Sequence, residues 1–305
     1  MAFLDRHSGG SRRWVCGVTA ALAAVILSAG TVSGADEQAM APANATQSNA
    51  TEGFALTYDV YTGGLRAIRF DFELDLAGSD ADPSYETRIR LQTSGIIGAL
   101  FNWSLEASSA GDWRDGEIAP EKYRTANIWR SRQRKVAIDY AADGVRTVTA
   151  EPPYGEDDIK RVDPALIPGS VDPTTAVTAL VLTSAMSGAC RPRTAVYDGR
   201  RRYDANMEAL PPRDLKPSPA APFEGHVAGC RLTFERIAGF KPDRKRLQDL
   251  EVAIWLADIG VEPGQVPVRL ELSTPWGDGF AHLVRARAVD GALVFGAADE
   301  DEDDG

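Results

Sequence analysis

From residue 54 onward, hydrophobic and polar side chains take turns along the chain. Ile68, Phe70, Phe72, Leu74 and Leu76 alternate with Arg69, Asp71, Glu73 and Asp75, the period of a strand with one face in a core and the other in water. Residues 54–61 are rich in strand formers and are joined to this run through Thr62, Gly63 and Gly64, so a long hairpin is predicted. A third strand follows at 85–93, with Tyr85, Thr87, Ile89 and Leu91 on one face and Glu86, Arg88, Arg90 and Gln92 on the other. Further strands are predicted over 101–107, 128–140, 145–150, 194–203, 226–237, 250–257, 266–274, 280–289 and 292–295. One segment reads as a helix: Asp172 can cap it, Pro173 suits its first position, and 174–186 (TTAVTALVLTSAM) is apolar nearly throughout. Residues 151–168 and 210–222, with their prolines, read as long loops. The pattern specifies a mainly β fold, a curled antiparallel sheet in an open or half barrel around one buried helix.

The first 35 residues break this pattern. Arg6, Arg12 and Arg13 precede the apolar run VCGVTAALAAVILSA at 15–29, and small residues end the segment at Ser33, Gly34 and Ala35. These are the three parts of a secretory signal peptide, with cleavage expected after Ala35. The run is short for a membrane span, and no later run is longer, so no span is expected after cleavage. Residues 36–52 carry few bulky side chains and read as a flexible lead-in, 53–297 as one β-rich domain, and 298–305, with the run DEDEDD, as a solvated acidic tail.

Export changes the meaning of the cysteines. Cys16 leaves with the leader, so Cys190 and Cys230 remain, and in an oxidising compartment such a pair is expected to close. A bridge over about 40 residues restricts the unfolded chain by roughly 4 kcal/mol on the chain-entropy account. A redox role would need an exposed thiol beside a positive group, and Arg191 and Arg231 each follow a cysteine directly. The composition, 44% hydrophobic and 25% charged over 305 residues, is that of a folded soluble protein. Acidic residues outnumber basic ones by 44 to 33, a net charge of -11 that disfavours nucleic acid and, for the overall field, anionic membranes.

Few catalytic arrangements are on offer. After the leader only His226 and His282 remain, each inside a predicted strand, and there is no Gly-x-Ser-x-Gly elbow, zinc helix or phosphate loop. No catalytic residue, metal ligand or cofactor is therefore assigned. The most distinctive local feature is AVYDGRRRYD at 195–204. Asp198 and Gly199 signal a two-residue hairpin turn that would pair Tyr197 with Arg200 and Val196 with Arg201. Arg200 and Arg202 would then share one face, and Arg201 would lie with Tyr203 on the other. An arginine carried inward must find an internal carboxylate or bind an anion, so Arg200, Arg201, Arg202 and Tyr203 are the candidate ligand-binding residues. Arg130, Arg132 and Arg134 recur at a spacing of two, which places them on one strand face, solvated or docking a partner. The tryptophans are spread along the chain as core residues would be.

Six phrases in order, YDVYTGGL at 58–65, GALFNWSLEASSAG at 98–111, PEKY at 120–123, DPTTA at 172–176, VYDGRRRYD at 196–204 and AGCRLTFERIAG at 228–239, resemble the exported proteobacterial family catalogued as domain of unknown function 3108. The resemblance implies a Gram-negative periplasmic location and supports pairing Cys190 with Cys230. It implies no activity and no catalytic residues. The expected shell around a helix also looks like the half-barrels of periplasmic lipoprotein carriers, a likeness of shape alone. The expectation is a non-enzymatic periplasmic binding or scaffold protein of the cell envelope, whose partner is an envelope component, a periplasmic protein or a lipid-like ligand. The alternative is an envelope-acting hydrolase using carboxylates and the arginines 200–202.

Overall fold

The alternation over 54–93 folds as a meander of three strands, and the same logic carries through the chain. The computed structural model describes residues 52–79, 82–114, 117–141, 146–156, 162–188, 190, 193–240, 250–274 and 277–297. The expected leader, the lead-in up to residue 51, the acidic tail and Trp276 lie outside the described residues.

The strands are β1 (Glu52–Thr62), β2 (Leu65–Ser79), β3 (Asp82–Thr93), β4 (Trp103–Arg114), β5 (Glu117–Trp129), β6 (Arg132–Tyr140) and β7 (Arg146–Glu151), then β8 (Arg193–Tyr197), β9 (Arg202–Leu215), β10 (Gly225–Ala238), β11 (Glu251–Ala257), β12 (Val266–Thr274), β13 (Gly277–Ala288) and β14 (Leu293–Gly296). They form one open antiparallel sheet of 14 strands in the order β7-β6-β5-β4-β3-β2-β1-β13-β12-β11-β10-β9-β8, with β14 beside β13. β1 thus sits mid-sheet, between β2 and β13, and joins two meanders. Its Phe54, Leu56, Tyr58 and Val60 are buried in the main core, and the Tyr58 hydroxyl donates to the carbonyl of Pro267 on β12 at 2.7 Å. The opposite face carries charges in register: Asp71 lies between Thr57 and Arg90, and Arg90 lies opposite Glu106. A one-residue slip would reverse both faces at once, so this double pattern sets the register.

The helix α2 (Pro173–Ser187) lies between the two edge strands in sequence and packs against β3, β4, β5, β8 and β12. The Asp172 carboxylate accepts from the Thr175 N–H at 2.9 Å, Pro173 occupies the first turn, and Gly188 ends the helix in a left-handed conformation at φ 63°. Nine of its residues are buried, among them Val181 and Leu182 in the main core, which is why the helix is apolar on nearly every side. Its polar exceptions are threonines and serines, and Thr178 Oγ1 lies 2.8 Å from Thr87 Oγ1 while also donating to the Thr174 carbonyl at 2.9 Å. Just before the helix, a strap draws the open edges together. Val171 pairs in parallel with Val196 of β8, and Arg146 of β7 donates to the Ile167 carbonyl at 2.7 Å and to Ser170 Oγ at 3.1 Å.

Four local expectations are corrected. The run 128–140 is two strands, because Trp129 and Arg132 face each other across a turn in which Arg130 takes a φ of 57°. Arg130 is therefore a turn residue, and only Arg132 and Arg134 stay on β6. The strand β5, whose residues 117–129 hold few bulky apolar side chains, and the short helix α1 (Gly95–Leu100) were not foreseen. The predicted loop 210–222 begins as strand: Leu210 to Leu215 belong to β9, and Pro211 and Pro212 are tolerated because the pairing with β10 skips there, from Gly229 opposite Leu210 to Val227 opposite Arg213. Finally, β8 and β9 are joined by four residues rather than two, with Tyr197 opposite Arg202 and Val196 opposite Tyr203.

Candidate functional site

Where the strap meets α2, side chains from several strands of one half of the sheet converge on one carboxylate. Asp172 has no solvent exposure. Its Oδ1 takes the helix N–H already described, and its Oδ2 accepts from Thr175 Oγ1 at 2.6 Å, Tyr140 at 3.1 Å and Ser109 Oγ at 3.4 Å. Thr175 and Ser109 hydroxyls are 2.7 Å apart, and the Tyr85 hydroxyl lies 3.0 Å from the first and 3.1 Å from the second. Burial raises the Asp172 carboxyl above the usual aspartate range, against the pull of these donors. Burial also raises Tyr140 well above the ordinary phenol value and lifts Tyr85 to about 12. The Arg146 guanidinium sits 5.0 Å over the Tyr140 ring, completing a network that ties β3, β4, β6, β7 and α2 together.

The arginine hairpin forms the neighbouring half of the site. Asp198 Oδ1 accepts from the backbone N–H groups of Arg200 at 2.9 Å and Arg201 at 2.6 Å, which shapes the four-residue turn. Gly199, at φ 88°, seats that turn against β6 and β7: a Cβ there would stand 2.9 Å from Val136 Cγ1. Arg202 Nη1 donates to Asp204 Oδ1 and to the Tyr203 carbonyl, both at 2.6 Å, and its Nε reaches the Leu166 carbonyl of the strap at 3.1 Å. Arg193 holds the other oxygen of Asp204 from β8. Arg200 lies 5.7 Å from the Tyr154 ring and Arg201 5.4 Å from the Phe240 ring. Tyr203 stands edge-on to Phe234 and Phe240 in a small core with Ala176 and Val196. Of the four candidate residues, Arg202 thus has an internal carboxylate, and Arg200, Arg202 and Tyr203 are all buried. Arg200 and Arg201 do not lie opposite Tyr197 and Val196 as the two-residue turn required, since both belong to the turn and those partners face Arg202 and Tyr203 instead.

Two histidines complete the titratable inventory of the strands. His226 is exposed, with Nδ1 2.9 Å from Asp214. His282 is buried between Tyr61 and Phe280, and burial lowers its pKa to about 4, so it is neutral at pH 7. Among the described residues no group of three or more His, Cys, Asp or Glu side chains is placed to hold a metal ion. Cys190 and Cys230 are bonded, with Cα atoms 5.8 Å apart.

One surface beside this cluster is open. Pro173, Ala176, Val177 and Leu180 of α2 face Thr194, Val196, Tyr203, Ala205, Met207, Leu232 and Phe234 of β8–β10 across a narrow, shallow groove, open to solvent, with a free volume of about 30 Å³. The lining is carbon almost throughout, and the exposed Arg193 precedes Thr194 on the bordering strand. Sequence reasoning did not find the groove or the Asp172 network. Asp172 was legible as a cap, but Tyr85, Ser109 and Tyr140 lie too far away in the chain to be linked to it by any local signal.

The family described as Protein of unknown function (DUF3108) matches residues 57–284. The chain belongs to the DUF3108 family. That stretch runs from within β1 into β13, so the match covers the strap, α2 and most of the sheet, with β14 beyond it. A crystal structure of a beta-barrel-like protein of domain of unknown function DUF1849 from Brucella abortus is similar at 12% identity, over 80% of this DUF3108 chain and 99% of that one, with a TM-score of 0.44. No curated protein matches.

Proposed function

We propose that this DUF3108 chain is an exported, non-enzymatic binding protein of the cell envelope that holds the acyl part of an amphipathic component in the groove between α2 and β8–β10. The observation that carries the reading is a contrast within one region: the apolar groove is open, while the polar groups beside it are sealed. An aliphatic chain laid along Ala176, Val177, Leu180, Ala205, Met207 and Leu232 would be removed from water with no polar group left unpaired. The leader and the Cys190–Cys230 bridge support export and an oxidising compartment.

The alternative, a hydrolase using carboxylates and the arginines 200–202, asks for a carboxylate that substrate can touch. Asp172 and Asp204 have no exposure and Arg202 only 8%, so the geometry favours binding. Native mass spectrometry of protein taken from its own compartment, beside the variant Ala205→Trp, tests the proposal. A co-purifying lipid-like species that disappears in the variant is expected. Equal, or absent, bound species in the two proteins would overturn it.

A further inference from the structure

A second surface, remote in function from the groove, is built at one end of the sheet by three chain reversals: the β1–β2 turn, α1 between β3 and β4, and the β5–β6 turn. They are neighbours, because β1 to β6 run as a meander and the backbone ties them. Ser94 N–H donates to the Ala67 carbonyl at 3.0 Å, and Arg130 N–H donates to the Asn102 carbonyl at 2.9 Å. The rim they form has an unusual composition for this chain. Segments 61–67, 93–103 and 128–134 hold Arg66, Arg130, Arg132 and Arg134 and no acidic residue, in a protein whose net charge is -11.

The rim also exposes large aliphatic side chains. Ile96 is 72% exposed and Leu100 67%, and they stand four residues apart on the outer side of α1, while Ile97 between them packs on the core. Leu65, at the start of β2, is 53% exposed and directly precedes Arg66. Arg130 and Arg132 are exposed on the adjoining turn, and Trp129 beside them is partly covered. α1 itself has no charged residue.

We propose that this rim docks on an anionic lipid surface, with Leu65, Ile96 and Leu100 entering the headgroup layer and Arg66, Arg130 and Arg132 engaging lipid phosphates. The choice of occupant follows from shape and charge. Single aliphatic tips on outward-pointing turns can enter a deformable interface, whereas a folded partner would need a pocket for each. The three segments themselves carry arginines and no acid; Arg66 pairs with Asp59 at 3.3 Å and stays 46% exposed, and Arg130 and Arg132 on the far turn are exposed, so this side of the rim complements a negatively charged headgroup layer. The acidic body of the protein repels the same surface, so contact is confined to this end and the orientation is set.

Hydrogen–deuterium exchange of the full chain with vesicles of phosphatidylcholine containing roughly 30% phosphatidylglycerol reads the contact locally, independent of any binding by the apolar run at 15–29. Slower exchange is expected in segments 61–67, 93–103 and 128–134, absent with pure phosphatidylcholine and reversed by about 0.5 M NaCl. The double variant Ile96→Ser with Leu100→Ser, and separately Arg130→Gln with Arg132→Gln, should each cut that protection by about tenfold in vesicle concentration while leaving thermal unfolding unchanged. Unchanged exchange in these segments with anionic vesicles, equal protection by neutral ones, or protection by an envelope protein fraction but not by lipid would overturn the proposal.

Discussion

Replacing Asp172 by alanine tests the idea that one buried carboxylate joins the helix to the β3–β7 half of the sheet. The substitution removes the N-cap of α2, which costs about 1 kcal/mol in a typical helix. It also strands donors. Thr175 Oγ1 keeps Ser109 and Tyr85 as neighbours, and Ser109 keeps the Lys122 carbonyl at 3.3 Å, but Tyr140 loses the acceptor to which it donates. A buried donor left in this way costs about 1–3 kcal/mol, so the expected loss is roughly 2–4 kcal/mol out of a total of about 5–15. Asp172→Asn keeps the shape and an acceptor and should lose about half as much, and Tyr140→Phe in the Asp172→Ala background should cost little more, because the bond is already gone. Urea unfolding at constant slope measures each value. A change of less than about 0.5 kcal/mol for Asp172→Ala would refute the reasoning, since that is the range of substitutions that touch nothing.

Three further outcomes follow from the same structure. Burial holds both Asp172 and Asp198 above the usual aspartate range, so the folded chain binds their protons more tightly than the unfolded one; their contribution to stability should grow as pH falls through the window above about 4 and be lost as pH rises. Denaturation midpoints between neutral pH and that window should show a smaller acid gain in Asp172→Asn than in wild type, and identical slopes would contradict the assignment. Asp204→Ala leaves Arg202 buried without its carboxylate and should cost about 3–5 kcal/mol in the same assay, whereas a neutral result would mean the pair is dispensable. Cys190→Ala with Cys230→Ala opens a loop spanning 40 residues and should lower stability by roughly 4 kcal/mol; reductant should then shift the wild-type melting curve but not that of the variant.

The main lines of the fold were legible because strand alternation and helix capping are local signals. Ile68 to Leu76 alternate wherever they are placed, and Asp172 with Pro173 announces a helix start in any context. The misreadings share one cause. Arg130 in a left-handed turn, Pro211 and Pro212 inside β9, and the four-residue turn after Tyr197 all depend on what the partner strand does, which no single segment encodes. The candidate site was legible only in part: an inward arginine was expected to find an internal carboxylate or bind an anion, and for Arg202 the structure supplies the carboxylate, Asp204, two residues along its own strand.

By itself, the sequence determined that strands dominate, that one helix is buried, and that two cysteines remain to pair once the first 35 residues are set aside. Tertiary structure decided which edges the strap draws together, that Tyr85, Ser109 and Tyr140 gather on Asp172, and that an apolar groove stays open beside a sealed polar cluster. The physical reason is range. Periodicity and capping act over a few residues, whereas burial and hydrogen-bond satisfaction depend on groups brought together from as far apart as β3 and α2, and these have no spacing in the chain to reveal them.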